Sequence, residues 1–172
     1  KAGDHLIALH QAAFNSNGFS LIRKILFKDH DVSLDDKPVE LSGKTVGETH
    51  LRQPESMLKR FATSKKAFDS RIAHITGGGF IENLPRIYDD NLQAVINKGS
   101  CPVLPIFDYL KKLGELSDQD ATTLQYGVGL VLAVSSENVD AVKEQLNAEN
   151  EEFYEIGKLT VRPAGQAKIV IE

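Results

Sequence analysis

The sequence has a single cysteine, Cys101, among its 172 residues, so it cannot form an internal disulfide. That scarcity fits a reducing compartment, and we expect a cytoplasmic protein. Cys101 stands in a Gly-Ser-Cys-Pro sequence with no histidine near it along the chain. Because a free cysteine usually behaves as a small buried hydrophobe, we expect a structural thiol rather than a nucleophile.

Long apolar runs are also missing. The longest, Val128 to Val134, is far shorter than the about 20 residues that a membrane-spanning helix needs. No basic segment followed by an apolar stretch stands near the first residue, so no secretion signal is visible. The sequence opens on Lys1 rather than Met, and we therefore expect that upstream sequence has been removed. No membrane partner is predicted.

An excess of positive charge is absent, since 20 Lys and Arg residues face 24 Asp and Glu residues for a net charge of −4. This balance argues against a nucleic-acid partner, which would require a basic surface. The five histidines are scattered without metal-ligand spacing, so no metal site is predicted. The acidic pairs Asp35-Asp36 and Glu151-Glu152 are interpreted as solvated surface.

The hydrophobic pattern predicts one α+β domain over residues 1–172. Hydrophobic residues make up 41% of the chain and charged residues 26%, as is usual for a globular protein. Strands and helices follow in mixed order, which predicts a mixed, twisted sheet between helices, a three-layer α/β/α arrangement. Residues 28–48 are predicted to be a polar surface excursion. Strands are predicted at 5–9, 71–75, 92–96, 127–134, 153–160 and 167–171, and helices from 19, at 54–68, 80–84 and 105–113, from 117, and at 136–147.

The stretch Thr76-Gly77-Gly78-Gly79 follows a predicted strand and is the most informative segment for function. Consecutive glycines lose conformational entropy on folding and contribute no packing, so they usually serve a close backbone approach, often to a phosphate. The stretch is neither a P-loop nor a dinucleotide fingerprint, because the required lysine and glycine spacing are absent. From the residues alone, a tight bend remains an equal alternative to a ligand site. Either way, we expect at least one of the glycines at positive φ.

A second turn, at Asn15-Ser16-Asn17-Gly18, also stands between a predicted strand and a helix. Such a turn leaves the first backbone N–H groups of the helix without helical partners. We expect Asn17 and Arg86 to be the side chains nearest to an anion held by the glycine stretch.

Residues 73–86, which include His74, Asn83 and Arg86, resemble the signature of the aminoimidazole ribonucleotide synthetase family, the phosphoribosylformylglycinamidine cyclo-ligases. Three further segments are similar to family motifs in the same order, namely residues 16–24, 102–107 and 127–131. The similarity is to the C-terminal half of a two-domain architecture. By resemblance, the substrate- or phosphate-binding residues are Ser16, Asn17, Gly18, His74, Thr76, Gly77, Gly78, Gly79, Asn83 and Arg86.

The resemblance implies an enzyme of purine synthesis that uses ATP to activate an amide oxygen and close an imidazole ring. It also implies ATP and magnesium as cofactors of the intact enzyme, an ATP-binding N-terminal domain as partner, and a homodimer as a further candidate assembly. The N-terminal half supplies most nucleotide contacts in that family, so we expect this chain alone to bind no cofactor and to be inactive. No catalytic residue is assigned.

Three segments depart from the family pattern. Asn15 stands where the family has histidine, residues 51–57 keep little of the family motif beyond Pro54, and residues 122–125 differ from its Arg-Thr-Phe-Asn. The departures keep an alternative open, a non-catalytic domain on the same scaffold that is either diverged or engineered to stand alone.

Overall fold

The computed structural model of the chain describes residues 1–10, 19–50, 71–76, 78–103, 105–116 and 128–172. Six strands within these ranges form one sheet in the order β2-β4-β1-β5-β3-β6. The strands are β1 (His5–His10), β2 (Arg71–His74), β3 (Leu92–Ile96), β4 (Val128–Val134), β5 (Phe153–Val161) and β6 (Ile169–Ile171). All neighbouring pairs are antiparallel except β3 and β6, which are parallel. The sheet is therefore mixed, as predicted.

Five α-helices lie in the described ranges. They are α1 (Phe19–Arg23), α2 (Val46–His50), α3 (Gly79–Asn83), α4 (Pro105–Leu113) and α5 (Val139–Ala148). Helix α1 continues as a π-helical segment over Lys24–Asp29, and 3-10 turns form at Val39–Leu41 and Leu84–Ile87. No helix among the described residues is long and apolar enough to cross a membrane.

The sheet is buried on both faces, because alternate strand residues enter two different cores. In β1, Leu6 and Ala8 belong to the core beneath α3 and its 3-10 turn, whereas Ile7 and Leu9 belong to the core beneath α5. All seven residues of β4 are buried, which explains the unbroken apolar run from Val128 to Val134. The predicted three-layer α+β arrangement is confirmed.

Two β-bulges give the central strand β1 a different register on each side. Leu9 faces Leu130 while His10 faces Val128, so Gly129 of β4 is the extra residue on one side. On the other side the register against β5 shifts between Leu6 and Ile7. The bulges turn side chains such as Val128 to the face opposite the one that strict alternation would give.

A third core unites α1, its π-helical extension, α2 and α4. It corrects the expectation of a polar excursion over residues 28–48, because Leu41 and Val46 are only 2% and 0% exposed. These two apolar residues are isolated in the sequence among charged neighbours, so no periodicity marks them. Their burial depends on tertiary contact with α4.

Helix α4 ends in a left-handed residue, but that residue is not the glycine that follows the helix, Gly114. Glu115 is the residue with positive φ, at 47°, and the Leu116 N–H donates to the Lys111 carbonyl at 3.0 Å. This is the hydrogen bond of a Schellman motif. Gly114 serves packing instead, since a Cβ there would lie 2.8 Å from Cδ1 of Ile25.

The six predicted strands are confirmed, with bounds that differ by at most two residues. The helices predicted from 19, at 80–84, 105–113 and 136–147 are also confirmed, although the last starts at Val139 and the π-helix was not predicted. The helices predicted at 54–68 and from 117 lie outside the described residues.

Candidate functional site

The glycine stretch lies at the carboxyl end of β2, directly beside the first residues of β4. The Ile75 N–H donates to the Gly129 carbonyl at 2.9 Å, which fixes the chain to the β4 bulge as it leaves the sheet. Strands β1 and β2 flank β4 and are both antiparallel to it. Their carboxyl ends therefore lie at the same end of the sheet, one strand apart. The chain leaves β1 there toward residues 16–18, which lie outside the described residues.

The stretch forms the predicted turn. Gly78 has φ 84° and ψ −1°, and Gly79 has φ 58°, so both lie in the left-handed region. Residues with a Cβ rarely adopt this conformation twice in succession. The expectation of positive φ at a strand end beside a helix start is confirmed for these two glycines. Gly77 lies outside the described residues.

Asn83 holds the turn closed from within the protein. Its side chain is only 2% exposed, and its Nδ2 donates to the carbonyls of Gly79 at 2.8 Å and Thr76 at 3.3 Å. The Thr76 hydroxyl donates to Asn83 Oδ1 at 3.2 Å, and the Gly79 N–H donates to the Thr76 carbonyl at 3.0 Å. Asn83 and Thr76, both assigned to ligand binding by resemblance, thus bind each other and brace the backbone of the turn.

Glu82 is a neighbour of the turn that sequence analysis missed. A Cβ built on Gly78 would lie 2.2 Å from the Glu82 carboxyl carbon and 2.3 Å from its Oε2, so this side chain folds back along the helix onto the glycine. The four-residue spacing between Gly78 and Glu82 is the signal that could have found it, because such residues share a helix face.

His74 and Arg86 are less closely tied to the turn. His74 is exposed at the end of β2, and Arg86 is exposed in the 3-10 turn after α3. The carbonyl of the next residue, Ile87, accepts a hydrogen bond at 3.0 Å from the Arg71 guanidinium, at the opposite end of β2. Arg86 therefore follows a helix that runs back along the sheet, away from the glycines. Among the described residues, no hydrogen bond or ion pair joins its side chain to the turn.

Cys101 and Tyr154 lie at the same end of the sheet, near the end of β3 and the start of β5. Burial, together with the nearby Glu152 carboxylate, raises the pKa of the Cys101 thiol to about 11. Tyr154 donates its hydroxyl to Glu152, and this bond, with burial, raises its pKa to about 12. Both groups are neutral at physiological pH, which agrees with a structural thiol because the thiolate is the reactive form.

In the parts of the chain that the structure describes, no three His, Cys, Asp or Glu residues are grouped so that they could hold a metal ion. The backbone of the glycine turn is a different kind of donor. It carries N–H groups, the kind of donor that suits the oxygens of a phosphate, although the Gly79 N–H already donates to the Thr76 carbonyl. The three segments that depart from the family pattern, Asn15 and residues 51–57 and 122–125, lie outside the described residues.

Comparison with known proteins identifies relatives of this chain. The family model described as AIR synthase related protein, C-terminal domain, matches residues 1–170. The chain is 77% identical over 174 residues to a protein of Lactobacillus acidophilus named phosphoribosylformylglycinamidine cyclo-ligase, covering 100% of this chain and 50% of that protein. A protein of the same name from Lactobacillus helveticus is 51% identical, with 99% and 49% covered. The chain thus spans about half the length of the curated relatives it matches.

Among solved structures, a thiamine-monophosphate kinase from Stenotrophomonas maltophilia superposes with a TM-score of 0.63 at 16% identity. The superposition covers 100% of this chain and 51% of the kinase. At this identity the likeness concerns the fold alone. The sequence relatives agree with the resemblance seen in the four motifs.

Proposed function

Because the chain belongs to the AIR synthase related family, whose C-terminal domain it represents, we propose that it acts as the C-terminal domain of a phosphoribosylformylglycinamidine cyclo-ligase. In this proposal the chain forms one wall of the cleft in which ATP-dependent closure of an imidazole ring takes place. The ATP-binding domain that completes the cleft is the N-terminal half of the same enzyme. The whole protein's activity in purine synthesis is part of the proposal.

The braced glycine turn is the observation that carries this proposal. Two successive left-handed glycines are held by a buried amide at a strand end, a costly arrangement if a simple bend were sufficient. We assign the turn, Gly77 to Gly79, to a phosphate group of the substrate or of ATP. Residues 16–18 follow the strand end one strand away, so Ser16, Asn17 and Gly18 are proposed to contribute from that side.

In this proposal the phosphate is held by backbone N–H groups of the turn other than that of Gly79, which donates to the Thr76 carbonyl, while Thr76 and Asn83 keep the backbone in place. ATP, when bound to the intact enzyme, supplies the activation of the amide oxygen. Magnesium and most of the nucleotide contacts are proposed to belong to the other half of the enzyme. For His74, at the end of β2, we propose a contact with substrate or phosphate at the edge of the cleft. The same role is proposed for Arg86 toward a part of the ligand that lies away from the glycine turn.

A homodimer of the intact enzyme and a location in the cytoplasm complete the proposal. The alternative, a non-catalytic domain that is diverged or engineered to stand alone, rests on changes at Asn15, 51–57 and 122–125. Identity of 77% to a relative named cyclo-ligase speaks for the enzyme half. The alternative is therefore not favoured.

A reconstitution experiment tests this proposal. We expect no ATP-dependent ring closure from the 172-residue chain alone, and activity when it is mixed or fused with the ATP-binding half of a relative. Asn83→Ala should lower that activity, and Glu144→Gln, an exposed substitution on α5, should leave it unchanged. Turnover by the chain alone, or no turnover by a correctly folded fusion, would contradict the proposal.

A further inference from the structure

Strand β6 has one edge that no other described strand covers. It is the last strand of the sheet, and β3 is its neighbour on the inner side. The backbone groups of Lys168 and Glu172 bond to β3, through a carbonyl that accepts at 2.8 Å and an N–H that donates at 2.9 Å. Because backbone groups alternate between the two edges of a strand, Ile169 and Ile171 direct their N–H and C=O groups outward.

This free edge is apolar and favours further strand pairing. Ile169, Val170 and Ile171 are all β-branched, the residue type that strands favour, and Ile171 is 46% exposed. An unpaired edge is a template for another strand, and proteins commonly protect it with charged residues or proline. Here the charges stand only at the two ends of the apolar run, Lys168 before it and Glu172 after it. A strand that pairs with this edge must therefore match a positive and a negative charge.

The sequence Lys-Ile-Val-Ile-Glu over residues 168–172 is complementary to itself when two copies run antiparallel. With Val170 on the two-fold axis, Lys168 of each copy lies opposite Glu172 of the other. The same register sets Ile169 of each copy opposite Ile171 of the other, and these are the residues whose backbone groups face outward. Opposed residues of this kind exchange both of their N–H···O bonds in an antiparallel ladder. A register shifted by one residue would set outward groups against inward ones, so the charges and the hydrogen bonds select the same alignment.

We propose that residues 168–172 are a self-association surface, through which the β6 strands of two copies of this chain pair in an antiparallel dimer. The six-stranded sheet of one copy then continues into that of the other. Ile169 and Ile171 of both copies lie on one face of the shared sheet. Lys168 forms an ion pair with Asp90 of its own chain, so in the dimer its ammonium lies between two carboxylates. The surface is in the described half of the enzyme, and its association is independent of the homodimer and the ring closure under the proposed function.

Sedimentation equilibrium of the full 172-residue chain tests this surface. Strand β6 is only three residues long, so the interface is small, and we expect weak, reversible dimers within a concentration range of about 10 µM to 1 mM. Lys168→Glu and Glu172→Lys each turn two attractive cross-strand pairs into two repulsive ones, and each should weaken dimerisation at least about tenfold. A one-to-one mixture of these two variants should associate again, because residues 168 and 172 are then glutamate in one chain and lysine in the other.

Glu144→Lys is the matched control, since it makes the same charge change as Glu172→Lys at an exposed position on α5 and should leave dimerisation unchanged. Ile171→Pro removes one outward N–H and keeps the bonds to β3, so it should abolish dimerisation even where a charge reversal disturbs the fold of β6.

Three results would overturn the surface. They are a chain that stays monomeric up to about 1 mM, variants that dimerise as well as the unmodified chain although circular dichroism shows them folded, and equal weakening by Glu144→Lys. A mixture of the two folded charge-reversal variants that stays monomeric would overturn the antiparallel register. Assemblies that grow beyond two copies would overturn the two-fold arrangement.

Discussion

Glycine has two different purposes in this molecule, one in the sheet and one in the turn at the end of β2. In β5, Gly157 has φ 156°, and a Cβ there would lie 1.9 Å from the Val95 carbonyl oxygen of the neighbouring strand. In the turn, the three atoms nearest to a Cβ on Gly78 would all belong to the Glu82 side chain. The strand glycine faces a fixed backbone, and the turn glycine faces a side chain that can move.

The difference shows that a conspicuous motif need not mark the most sensitive position. The sheet requires Gly157 because the backbones of β3 and β5 approach too closely for any side chain. The turn requires Gly78 and Gly79 for their left-handed backbone conformation, and the Cβ position of Gly78 is filled by a flexible side chain rather than by backbone. The strand glycine serves folding, whereas the turn glycines serve a ligand only under the proposed function.

The largest effect is expected for Gly157→Ala. The new methyl group would overlap the Val95 carbonyl, so strands β3 and β5 would have to separate or shift register. We expect a loss of at least about 3 kcal/mol in the free energy of unfolding, above the usual range for an added methylene because the obstacle is backbone. Urea unfolding followed by circular dichroism measures it, and a loss below about 1 kcal/mol would contradict the comparison.

Asn83→Ala should act on the turn rather than on the sheet. It removes two donors and one acceptor from a buried site, so we expect a loss of about 2 kcal/mol in stability. Phosphate affinity, measured on the folded fraction, separates a loss of stability from a loss of the site. It should fall for Asn83→Ala and stay unchanged for Gly114→Ala, a destabilising variant far from the turn. Unchanged affinity in Asn83→Ala would show that the brace has no bearing on binding.

Gly78→Ala should be the milder glycine substitution. The free energy of unfolding should fall by about 1 kcal/mol, mainly because alanine is strained in a left-handed conformation. The Glu82 side chain can move aside to make room for the methyl group. Gly99→Ala is the matched control, since Gly99 has φ 80° and nothing lies within 4 Å of its Cβ position. The two variants should unfold at nearly the same urea concentration. Gly78→Val introduces a bulkier side chain, so it should lower the free energy of unfolding by about 1–3 kcal/mol and weaken phosphate binding.

A loss of stability as small as that of Gly78→Ala is expected at neutral pH for Tyr88→Phe, a substitution in the core beside the sheet. The buried Tyr88 hydroxyl donates to the Lys168 carbonyl at 2.8 Å, and burial raises its pKa to about 12. A raised pKa in the folded state means that the contribution of the neutral phenol is complete below pH 10 and is lost as the pH rises toward 12.

We therefore expect Tyr88→Phe to lower the free energy of unfolding by about 1 kcal/mol at pH 7. Between pH 10 and 12, the stability of this variant should depend less on pH than that of the unmodified chain. Thermal unfolding across this pH range measures both effects. An alkaline slope that is the same in both proteins would assign the pH dependence to other groups.

Local patterns predicted the strands well because alternation and apolar runs are properties of neighbouring residues. The buried run in β4 and the left-handed glycines of the turn needed nothing beyond their own segment. Gly157 could not be recognised, because its constraint arises from the register of β5 against β3, some 60 residues earlier in the chain. The separation of Arg86 from the turn likewise depends on the direction in which α3 crosses the sheet, which no motif encodes.

The position of β1 in the sheet has a consequence for the order in which the fold can form. His5 of β1 pairs with Val134 of β4 and with Lys158 of β5, so these two pairs join residues 129 and 153 positions apart. Loops of this length must close before the pairing contributes any stability, and such topologies fold in milliseconds to seconds. On the ribosome, β1 emerges long before its partners and must wait, apolar on both sides, until β4 and β5 have been synthesised.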